Sequence, residues 1–105
     1  MGEIVGVGLV SHVPTIMMSK EQRYALNDGK EISLVTGLQD MRREILEPLN
    51  PDVIIVIDTH WFTIVEFIVT SHQRRRGFYT SEELPRTMNS IPFDITGNPE
   101  LANIL

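Results

Sequence analysis

The stretch VIIVIDTH, residues 53–60, limits the fold more than any other. Five branched apolar residues, Val53 to Ile57, are followed at once by Asp58, Thr59 and His60. β-Branched side chains are stiff about χ1 and suit a pleated strand better than a helix. A continuous apolar run of this length needs cover on both faces, as a central parallel strand has. IVGVGLVSH, residues 4–12, repeats the plan and also ends on a histidine, His12. Residues 3–11 therefore predict a second covered strand, in which Gly6 and Gly8 let a neighbouring element pack close.

Between these runs the spacing predicts helices. Ser19-Lys20-Glu21-Gln22 fits a capping box, and Asn27-Asp28-Gly29 ends that helix as a turn. Leu38, Met41, Ile45 and Leu49 form one apolar stripe, which predicts a helix from about Gly37 to Leu49, stopped at Asn50-Pro51. Strand, helix and strand make a βαβ-like unit. Residues 63–70 predict a third strand, interrupted by Glu66. Arg74-Arg75-Arg76-Gly77 reads as a solvated basic turn, and residues 77–98 as a loop. Asn98-Pro99-Glu100 opens a last helix with a capping Asn, Pro at its first position and an early acid. The fold class is α/β: the N-terminal part of a mainly parallel sheet flanked by helices, and incomplete, because few helices are present to cover the strands and the last helix stops at an apolar Leu105.

Composition excludes several functions. At 105 residues there is room for one domain. A net charge of −5 argues against a nucleic-acid partner. No cysteine is present, which removes disulfides, thiolate metal sites and cysteine nucleophiles and suits a cytoplasmic protein. Apolar runs fall far short of the roughly 20 residues that span a bilayer, so no membrane partner is expected. An α/β segment with uncovered strands exposes apolar surface, from which self-association into a homo-oligomer is expected.

In a parallel sheet His12 and His60 both follow the carboxyl ends of strands, the edge where α/β sheets bind ligands. Neutral imidazole suits iron, zinc, copper or nickel. Asp58 lies two residues before His60, on the same face of an extended strand. Its carboxylate has three readings: a third ligand, a group that orients an imidazole from behind, or an acceptor for the next loop. Trp61 and Phe62 either wall an aromatic pocket or pack a corner. His72 reads as a surface residue and Tyr79 as a loop anchor.

Three segments carry a resemblance: GEIVGVGLVSHVPTIM, EQRYALNDGKEI and PDVIIVIDTHWF. With FYTSEELPRTMNSIPFDITGNPELANIL they resemble the start of a class III extradiol ring-cleavage dioxygenase, over essentially the whole chain. His12-Val13-Pro14 and Asp58-Thr59-His60-Trp61 are the most specific features. The resemblance implies Fe(II), with manganese as the alternative, held by His12 and His60. It implies a small catechol such as 3,4-dihydroxyphenylacetate as substrate, together with O2. The family's third ligand, a glutamate, and its acid–base histidine come later in a longer chain. Residues 1–105 are thus expected to be the N-terminal segment of one catalytic domain, cut before the carboxylate ligand and inactive alone. No catalytic or substrate-binding residue is assigned within it. Two other functions fit the same residues: a non-enzymatic binding or scaffold protein, and a metal-dependent hydrolase using His12, Asp58 and His60.

Overall fold

A computed structural model describes residues 2–60, 63, 64 and 66–105. The chain divides into two units: residues 1–52 with 80–89, and residues 53–79 with 90–105.

In the first unit, a 3-10 turn at Pro14–Met17 follows His12 and leads to α1, Lys20–Leu26. The capping box forms as the sequence suggests: Gln22 N–H donates to Ser19 Oγ at 3.3 Å and Ser19 N–H to Gln22 Oε1 at 3.1 Å. Asp28 and Gly29 take positive φ and turn the chain back. α2 covers Ser33–Met41, four residues earlier than the predicted start. Its N-cap is Ile32, which offers no side-chain oxygen, so no local signal marks it. The carboxylate of Glu31 accepts the Ile32 N–H instead, at 3.0 Å.

α2 runs into a π turn at Arg42–Leu46 and then a last α-helical turn, α3, Glu47–Leu49. Pro48 explains the widening. It has no N–H for the Glu44 carbonyl, and its ring crowds that oxygen. The helix responds one residue earlier, where Glu47 N–H reaches back to the Arg42 carbonyl. Asn50 closes the helix in the left-handed region. Leu38 and Met41 of the expected stripe are half-buried, whereas Ile45 and Leu49 are exposed.

Segment 3–11 lies along this helix. A Cβ on Gly6 would sit 2.9 Å from Leu49 Cδ1, and one on Gly8 would sit 4.0 Å from Met41 Sδ. The glycines thus admit the helix, as the sequence suggested. Because Gly6 meets the later helix residue, the two segments run in opposite directions. Residues 80–89 form a tight loop in the same unit, in which Ser81 and Met88 are buried and Ser81 N–H donates to the Met88 carbonyl at 2.9 Å.

In the second unit, β1 (Arg74–Tyr79) pairs antiparallel with β2 (Ile91–Thr96), Arg74 opposite Thr96 and Tyr79 opposite Ile91. α4, Pro99–Ala102, follows, with the Asn98 side chain accepting the Leu101 N–H at 3.0 Å.

Two expectations are not met among the described residues. The sheet of the described residues is this antiparallel pair, not a parallel one, and it occupies residues expected to be turn and loop. Arg74 tolerates the strand because Asp94, diagonal to it on the same face, takes its guanidinium, Nε to Oδ1 at 2.7 Å. Among the described residues, segments 3–11, 53–57 and 63–70 carry no strand. A strand exists only where its backbone groups find ladder partners. Val7, Leu9 and Ile57 are accordingly 94%, 99% and 83% exposed. The chain is α/β in content.

Candidate metal centre

His12 belongs to the first unit, and Asp58 and His60 belong to the second. All three are exposed. His12 follows segment 3–11 directly and precedes Val13, the residue that caps the 3-10 turn. Pro14 fixes the first position of that turn. Ile16 N–H donates to the Val13 carbonyl at 3.3 Å, and Met18 N–H to the Thr15 carbonyl at 3.4 Å. The connection leaving His12 is therefore a hydrogen-bonded turn.

Asp58 Oδ1 accepts the backbone N–H of His60 at 2.8 Å. This is an Asx-type turn, the local use to which a short carboxylate is suited. It orients the His60 backbone. Among the described residues no group of three His, Asp or Glu side chains gathers around a common point. Two imidazoles are nevertheless a donor set that fits a divalent first-row metal.

Trp61 and Phe62 lie outside the described residues. His72 is exposed at the foot of the β1–β2 hairpin, beside a shallow hollow lined also by Gln73, Arg74 and Thr96. Tyr79 ends β1 opposite Ile91.

One arrangement in the first unit was not evident from the sequence. Arg23 and Glu31 form a two-pronged ion pair, Nε to Oε1 and Nη2 to Oε2, both at 2.7 Å. Their side chains are 14% and 18% exposed, whereas the partners in the ion pairs of Arg42, Arg43 and Arg74 are at least half exposed. The guanidinium hydrogen bond, followed by the Ile32 N–H, draws the Glu31 carboxyl down to about 2. The same bond raises the Arg23 guanidinium. A signal existed: opposite charges stand four residues either side of Asn27, where the chain reverses.

Comparison with known proteins places the chain among relatives. The chain is 29% identical over 105 residues to a 3,4-dihydroxyphenylacetate 2,3-dioxygenase of Escherichia coli. That alignment covers all of this chain and 37% of the relative, so the chain spans little more than a third of that protein's length. No solved structure matches. The family described as the catalytic LigB subunit of aromatic ring-opening dioxygenase matches residues 6–105, from the first helix-facing glycine to Leu105, and the chain belongs to that family.

Proposed function

We propose that this chain supplies the N-terminal half-site of an Fe(II)-dependent extradiol dioxygenase, with His12 and His60 as two of the metal ligands. The observation that carries this is the family match over residues 6–105, which takes in both histidines at the ends of the two longest apolar runs. The substrate class is a catechol such as 3,4-dihydroxyphenylacetate, cleaved beside its hydroxyls with O2 as co-substrate. In the complete domain, segments 3–11 and 53–57 are central strands of a parallel sheet whose remaining strands and cover lie outside these residues.

Each residue has a part that follows from its chemistry. His12 and His60 would hold the ion through neutral ring nitrogens. Asp58 holds the His60 backbone through its turn. The ion, when bound, supplies Lewis acidity that lowers the pKa of a catechol hydroxyl. A carboxylate ligand from the remainder of the domain balances the charge. Without it the chain binds iron weakly and cleaves no ring.

Anaerobic Fe(II) binding tests this. The chain is expected to bind ferrous iron, with His12→Ala and His60→Ala each weakening it by about tenfold or more, at least the loss that follows removal of a group supporting a ligand. Equal binding by the parent chain and either variant would remove that histidine from the site. The same samples are expected to show no cleavage of 3,4-dihydroxyphenylacetate. Dimers that persist in chelator, in a chain that binds no iron, would favour the scaffold role.

A further inference from the structure

We infer that Arg23 is a positioning residue for His12: locked by Glu31, its guanidinium grips the Met18 carbonyl and fixes the connection that leaves the histidine. This rests on His12 being a metal ligand. A guanidinium carries five N–H donors in a rigid fork. Two are spent on Glu31, and a third, on Nη1, goes to the Met18 carbonyl. Glu31 is itself anchored, because its Oε1 also accepts the Ile32 N–H at the start of α2. Asn27 Nδ2 closes the same loop by donating to the carbonyls of Lys30 and Glu31, at 3.2 and 3.1 Å. Met18 is thus tied through one side chain to the start of the long helix.

The tie has little slack on the side of His12. Pro14 and the two bonds of the 3-10 turn leave few free torsions between residues 13 and 18. Within Val13–Met18 only Thr15 has a polar side chain. The imidazole of His12 stands immediately before this stretch, so the path of residues 13–18 bears on where it sits. Metal ligands need placement to within about half an ångström, and the groups that support them are where that precision comes from.

Two variants separate positioning from simple stabilisation. In the exchanged pair Arg23→Glu with Glu31→Arg, the ion pair can re-form but residue 23 no longer donates to the Met18 carbonyl. Arg23→Lys keeps the charge but has no fork that reaches both partners. Melting temperature and anaerobic Fe(II) affinity are measured together, with His12→Ala alongside. Arg23→Lys is expected to lose about tenfold in iron affinity. The exchanged pair is expected to recover melting temperature relative to Arg23→Lys while its iron affinity stays low. Recovery of both, or an iron affinity that Arg23→Lys leaves unchanged, would overturn the positioning role while the ligand assignment stands. If His12→Ala binds iron like the parent chain, the ligand assignment itself has failed and the positioning role falls with it.

Discussion

Gly97→Ala is expected to open the foot of the β1–β2 hairpin, at a cost of about 3 kcal/mol, the upper end of what overpacking usually costs. A Cβ at this position would lie 2.2 Å from the carbonyl oxygen of His72 and 3.4 Å from its carbon. Both are backbone atoms, so no rotamer change relieves the clash. Nor can the backbone slide away freely, because Gly97 N–H donates to the Gln73 carbonyl at 2.9 Å. One or other contact must break. Amide exchange reads this directly: protection across residues 74–79 and 91–96 should fall together. Gly77→Ala is the control. There an added Cβ meets the Phe93 ring at 3.4 Å, and a ring can tilt. Its expected cost is under about 1 kcal/mol. Undiminished protection in Gly97→Ala would mean that the backbone yields where the geometry says it cannot.

Acid is expected to unfold the first unit through Glu31. Its carboxyl titrates near 2 in the folded chain, against an ordinary value of 4.5. The unfolded chain therefore takes up the proton first as pH falls. The contribution of the pair is complete above about pH 4.5 and is lost progressively toward pH 2. Glu21, held down by backbone N–H and Ser19, acts in the same direction in this unit, and Asp94, held down by Arg74, does so in the second unit. Glu31→Gln should melt lower than the parent chain at pH 7. The two melting curves should converge as pH drops to 2, because the parent has then lost what the variant lacks. Thermal melts at half-unit steps from pH 2 to 7 check this. A constant gap between the two at every pH would show that the Glu31 charge has no part in stability.

Local signals in the sequence were legible and non-local ones were not. Ser19 and Gln22 cap α1, Asn98 caps α4 and Asn50 stops the long helix, each within three residues of what it acts on. The hairpin was missed because what makes β1 a strand lies elsewhere. Asp94 neutralises Arg74 from twenty residues away, and Phe93 covers Gly77. Read alone, three arginines and a glycine carry the composition of a turn. The apolar segments 3–11 and 53–57 show the reverse failure. Their pattern states a need for cover, but pairing requires partners that pattern cannot supply. At the candidate site, the sequence singled out His12, Asp58 and His60 by their place after apolar runs. It left three uses open for Asp58, and the structure shows its carboxylate on the His60 backbone. Arg23 and Glu31 escaped because a partner eight residues away across a turn falls outside the helical spacings that make charge pairs visible.

The π turn at Arg42–Leu46 has an angular consequence. Each residue of an α-helix advances the side-chain direction by about 100°. The extra residue held in the wide turn resets that phase, so Leu49 is not where a straight count from Leu38 and Met41 would aim it. Leu38 and Met41 stay half-buried, and Leu49 comes to Gly6 instead. The number of residues between Met41 and Glu47 therefore works as a phase setting. Substitutions within it leave the setting intact, whereas adding or removing one residue swings Leu49 by about 100° and parts it from the glycine made to receive it.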